Sequence, residues 1–121
     1  MKYEVFGEDE LAQSLPRLET SALSDVLDAL GFPSQVLAEG IMSLTRPHRM
    51  AGRASCVTLG GKPVAEKGPP APKDYFSKVD EAATEGSVLV LQVSGQGRGA
   101  IMGGFMGQEF QRRGAAGVLT N

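Results

Sequence analysis

The chain has one cysteine, Cys56, one histidine, His48, and no tryptophan in 121 residues. A lone cysteine excludes an internal disulfide and fits a reducing, cytoplasmic setting. With one histidine and one cysteine, a His- or Cys-rich zinc centre is excluded, so any metal would be a hard cation held by oxygen. Ser-His-Asp or Cys-His catalysis would have to use His48 as its base. No apolar run reaches ~18 residues, which excludes a transmembrane helix. The N-terminal stretch Met1–Glu10 lacks the basic-then-apolar layout of a secretory signal. Neither sign of charge dominates: the net charge is −2, so nothing supplies the basic face that a nucleic-acid partner requires. At 41% hydrophobic residues the composition is that of a soluble globular protein, long enough for one domain with a modest core.

What is present alternates helical and extended patterns. Glu8–Leu15 predicts a short helix interrupted at Pro16. Leu23, Val26, Leu27 and Leu30 fall at i, i+3, i+4 and i+7, one apolar stripe of a helix opened by Thr20 or Ser21 as N-cap. Gly31 and Pro33 close it. Ile41–Thr45 and Met50–Leu59 read as strands around a basic turn, Arg46–Arg49. Residues 60–73 hold seven glycines and prolines and read as a flexible loop. Asp74–Thr84 reads as a helix, with Phe76, Val79, Ala82 and Ala83 on one side. Ser87–Val93, with its Val-Leu-Val-Leu run, reads as a buried central strand. A glycine-rich stretch, Ser94–Gly99, follows. Met102–Arg113 is a turn and helix that buries Phe105, Met106 and Phe110, with Arg112 and Arg113 at its C-terminal end and Gly114 as cap. Gly117–Thr120 starts one more strand.

Several constellations offer chemistry. Gly103-Gly104 at a helix start leaves N–H groups free to close around a carboxylate or phosphate. Close packing of helix on strand is the competing explanation for the two glycines. Gly95–Ala100 matches a loose G-x-G-x-x-A string. The acidic residue that a dinucleotide site needs about 20 positions on is missing, so a glycine-rich loop is the commoner explanation. No Gly-Lys-[Ser/Thr] of a P-loop occurs. Asp25 and Asp28 share one side of a helix, as a cation or acid–base pair would, or as solvated surface acids. His48 lies between Arg46 and Arg49 in a turn that either meets an anion or is simply solvated. Cys56 reads as a small buried hydrophobe.

In order, Leu18–Gly31, Met50–Thr58, Val79–Val90 and Ala100–Val118 resemble four segments of the RraA-like family. That family includes the 4-hydroxy-4-methyl-2-oxoglutarate aldolases. The segments resemble, respectively, its opening S-D-x-L-D helix, its M-x-G-x-A strand, its D-x-A-x-x-G-D-V-x-V helix-to-strand step and its G-G…R-G-x-x-G-x-V stretch. The resemblance implies an α/β protein with a three-layer α/β/β swivelling-domain fold over residues 1–121, assembled as trimers or hexamers. It implies a lyase that releases pyruvate from 4-carboxy-2-oxo acids, or an oxaloacetate decarboxylase, using Mg²⁺ or Mn²⁺ as Lewis acid. The substrate carboxylate would lie on the backbone N–H groups of Gly103, Gly104, Phe105 and Met106. An Arg-Asp pair, binding substrate and metal, belongs a few residues past Asn121, where the family often has Asp. On this reading the chain is C-terminally incomplete and does not hold the metal itself. The alternatives are a protein-binding regulator of the RNase E inhibitor type and an inactive partial product.

Overall fold

The computed structural model describes residues 10–60, 73–94 and 101–121. The chain divides into two compact units, 1–50 and 51–121.

The first unit opens with α1 (Glu10–Ser14) and a 3₁₀ turn, Leu15–Arg17, with Pro16 at its start, a position where a missing N–H is harmless. α2 (Thr20–Ala29) follows. Its N-cap is Glu19, one residue before the expected Thr20, and no side chain caps the helix. Gly31, at φ +86°, supplies the left-handed turn that ends it. Leu23 and Leu27 are half-buried, while Val26 and Leu30 are exposed. Residues 41–45 form no strand. Apolar residues there suggest one, but a strand exists only where another pairs with it, and none does among the described residues. Arg49 donates to the Leu18 carbonyl at 3.1 Å and faces Glu19 at 3.5 Å.

The second unit is a parallel sheet in the order β1 (Arg53–Gly60), β2 (Ser87–Ser94), β3 (Gly117–Thr120). β1 and β2 are in register from Arg53↔Ser87 to Gly60↔Ser94, and β2 and β3 from Val88↔Gly117 to Leu91↔Thr120. α3 (Lys73–Ala82) joins β1 to β2, and α4 (Gly104–Arg112) joins β2 to β3. Parallel neighbours require such crossovers, which is why helices and strands alternate here. The mixed α/β class read from the sequence is therefore observed. The expected loop at 60–73 falls, for 61–72, outside the described residues, as does 95–100.

Alternation along β2 sorts its side chains. Leu89 and Leu91 are buried with Val79 and Ala83 from the α3 region and Phe110 of α4, and Val57, Val93, Met106 and Val118 pack around them. The intervening Val88 and Val90 are half-buried. On the same face as these, β1 presents Ala54 and Cys56, both exposed. Cys56 is thus not the buried hydrophobe expected, because β-alternation turns it away from the face on which α3 and α4 pack.

The C-terminal ends of α3 and α4 are tied by charge. Arg113 Nη1 donates to the Asp80 carbonyl at 2.8 Å, and its Nη2 faces the Asp80 carboxylate at 3.5 Å. Arg113 Nε donates to Glu109 at 2.8 Å, and Arg112 forks onto the same carboxylate at 2.8 and 2.9 Å. Cations at helix C-termini offset the negative dipole ends.

Candidate functional site

α4 begins at Gly104, with Gly103 extended at φ −117°, ψ 175° as its N-cap. The first helical bond runs from the Gly107 N–H to the Gly103 carbonyl at 3.1 Å. The N–H groups of Gly104, Phe105 and Met106 therefore precede the ladder and have no acceptor within the helix. No side chain caps them. These N–H groups and the positive end of the helix dipole converge on one spot, an arrangement that favours an anion.

The two glycines bear on the competing explanation. A Cβ added at Gly103 or Gly104 meets nothing within 4 Å, and neither glycine adopts a left-handed φ. Close packing against a described neighbour and backbone strain are both absent as reasons for glycine here. Phe105 also departs from expectation: it is 84% exposed in the first turn of α4, not buried. Only Phe110 of the expected trio is fully buried, with Met106 half-buried. In the first turn of α4 the helix face that carries Phe105 points away from β2, so an apolar residue type alone did not fix its burial.

The remaining candidates are placed each within its own unit. Asp25 and Asp28 are exposed on α2, and the Asp28 carbonyl accepts the Gly31 N–H at 3.0 Å at the end of that helix. His48 donates its backbone N–H to the Thr45 carbonyl at 2.8 Å, closing the turn, and Arg49 is engaged with Leu18 and Glu19. Arg112 and Arg113 are committed to Glu109 and Asp80 at the opposite end of α4 from Gly104. The Gly95–Ala100 string lies outside the described residues. Among the described residues no three His, Cys, Asp or Glu side chains gather into a possible metal-binding group.

The Glu109 carboxyl is held far below its ordinary 4.5, at about 2, first by the Arg112 hydrogen bonds and then by the one from Arg113. It is an anion committed to two arginines, which suits a structural tie better than an acid–base role. Asn121 went unmarked as a contact residue in the sequence. Its amide grips the backbone of Val93, which a carboxamide just past a strand could have suggested only if the pairing were already known.

A family model described as RraA-like, Aldolase/RraA, covers residues 20–121. No curated protein and no solved structure matches the chain.

Proposed function

The chain belongs to the RraA-like family, and from that premise we propose that the N-terminal turn of α4 binds the carboxylate of a small 2-oxo acid. It would act as the anion-holding part of a lyase site of the aldolase or oxaloacetate-decarboxylase kind. The observation that carries this is the trio of N–H groups on Gly104, Phe105 and Met106, which precede the helical ladder and have no side-chain cap. The backbone donors orient the carboxylate, and the exposed Phe105 ring offers apolar cover to one side of it. The Mg²⁺ or Mn²⁺ of such lyases would supply a Lewis acid to the 2-oxo group. For the described residues the proposal is one of anion binding.

The test is an amide NMR titration with oxalate, run with and without Mg²⁺. The expected result is saturable shifts at Gly104, Phe105 and Met106. Millimolar oxalate that leaves those three amides unmoved overturns the reading. A pyruvate-release assay on oxaloacetate, with Mg²⁺ and chelator arms, then asks for catalysis separately.

A second reading, a protein-binding regulator of the RNase E inhibitor type, rests on a different observation. Phe32, Val36, Leu37, Met42 and Leu44 are 59–92% exposed. A contiguous apolar patch marks an interaction site, and this reading takes these side chains to form one. This reading predicts slower RNA cleavage by purified RNase E in the presence of the protein, with or without chelator. Unchanged cleavage removes it.

A further inference from the structure

Both α3 and α4 end beside the start of β2. There the Gly114 carbonyl accepts the Gly86 N–H at 2.8 Å, and the Ala116 N–H donates to the Ser87 carbonyl at 2.7 Å. Those backbone bonds fasten the chain after α4 to the start of β2. Arg113, the C-cap of α4, adds a tie in another direction, from α4 to α3. Its Nη1 donates to the Asp80 carbonyl, in the last turn of α3, at 2.8 Å, and its Nη2 faces the Asp80 carboxylate at 3.5 Å. Its Nε donates to Glu109 on its own helix at 2.8 Å. A lone surface ion pair contributes little, but here one rigid guanidinium meets three acceptors on two helices. It also stands where two negative helix ends and two carboxylates would otherwise face each other.

We propose that Arg113 is a positioning residue: by clasping the end of α3 it sets the direction of α4, and with it the aim of the α4 N-terminal turn. Phe110, buried in the core, is the fulcrum. At about 1.5 Å of rise per residue, Arg113 lies roughly 4.5 Å beyond Phe110 along the axis and Gly104 roughly 9 Å before it, so a shift at the clasp arrives about doubled at the N-terminal turn. Hydrogen bonds to a bound anion tolerate only a few tenths of an ångström. The clasp stands on its own geometry. Its effect on ligand binding rests on the carboxylate reading given above. Residue type decides the clasp. Methionine keeps an unbranched stem and loses all three contacts. Lysine keeps the charge as a point donor without the fork that meets both helices at once. Glutamine at position 109 weakens the tie within α4 and leaves the reach to Asp80.

The experiment compares wild type, Arg113→Met, Arg113→Lys and Glu109→Gln in the full chain by residual dipolar couplings of the backbone amides and by oxalate titration. The couplings give the angle between α3 and α4, which a loss of stability alone leaves unchanged in the folded protein. Arg113→Met is expected to turn α4 relative to α3 and β2 and to weaken oxalate binding several-fold. Arg113→Lys should recover part of both. Glu109→Gln should match wild type in both, although it lowers stability. An unchanged angle in Arg113→Met overturns the proposal. Where Arg113→Met does not fold, the angle and affinity of Arg113→Lys decide in the same way. A changed angle with unaltered oxalate affinity overturns the positioning role. Equal loss of affinity in Glu109→Gln and Arg113→Met assigns the loss to stability and overturns that role as well. If oxalate does not bind the wild-type protein, the carboxylate reading falls, while the interhelical angle still decides the clasp.

Discussion

Glycines in this chain do three different jobs, and substitution separates them. Gly52 lies against the Gly86 carbonyl, so that a Cβ at position 52 would collide with backbone that has no freedom to turn aside. Gly52→Ala is expected to destabilise the second unit by about 1–3 kcal/mol through overpacking, read as a lower denaturant midpoint. Gly114, at φ +79°, needs glycine for its backbone, and its carbonyl accepts the Gly86 N–H at 2.8 Å. Gly104 needs glycine for neither reason. Proline there suits the first helical position, and the extended Gly103 before it is the conformation proline asks of its predecessor. Gly104→Pro is therefore expected to keep the helix by circular dichroism while deleting one N–H donor. Its oxalate affinity should fall about tenfold or more, the value of a hydrogen bond to a charge. Wild-type affinity in a folded Gly104→Pro protein would mean that this N–H holds nothing.

Among elements, β2 carries the second unit. It is the central strand, and its Leu89 and Leu91 are both essentially inaccessible to solvent. Leu89→Ala leaves a cavity between the sheet and its helices and is expected to cost about 2–5 kcal/mol, measurable by urea unfolding. At the C-terminal end of α4, Glu109 draws in Arg112 and Arg113, and this cluster has a pH signature. The Glu109 pKa falls on folding, from its ordinary 4.5 to about 2. A carboxyl depressed in the folded state stabilises it above the unfolded value. That contribution fades as pH falls through the window from about 4.5 to about 2. Glu109→Gln should flatten the loss of stability across that window and lower stability at neutral pH. The group is solvent-accessible, so salt should weaken the effect. An acid limb identical to wild type would show that the two arginines leave Glu109 unperturbed in solution.

For the whole molecule, the contrast between the two units matters most. The second has a buried cluster, whereas among its described residues the first buries none, and its Val36, Met42 and Leu44 are each more than 70% exposed. Self-association of the family kind, as trimers or hexamers, would cover such surface. The proposal gives a sedimentation mass well above the 12.7 kDa of one chain at micromolar concentration. A double change, Val36→Glu with Leu44→Glu, is expected to return it toward the monomer mass. A wild-type protein that sediments at the single-chain mass removes the oligomer.

The sequence by itself determined the succession of elements. Helical spacing around Leu23–Leu30 and Val79–Ala83, the Val88–Leu91 run, and the glycines and prolines between them mark α2, α3, β2, α4 and β3 to within a residue or two, because periodicity and chain breakers act locally. The helix start at Gly103–Gly104 was legible for the same reason, since free N–H groups follow from helix geometry alone. Tertiary structure decided what depends on a partner. Residues 41–45 have the look of a strand and no strand to pair with. Cys56 and Phe105 are apolar in type and exposed in fact, because the face each occupies is set by the sheet register and by where α4 packs. Asn121 grips Val93 from 28 residues away. No local pattern carries that contact, since β2 and β3 come side by side only in the folded sheet.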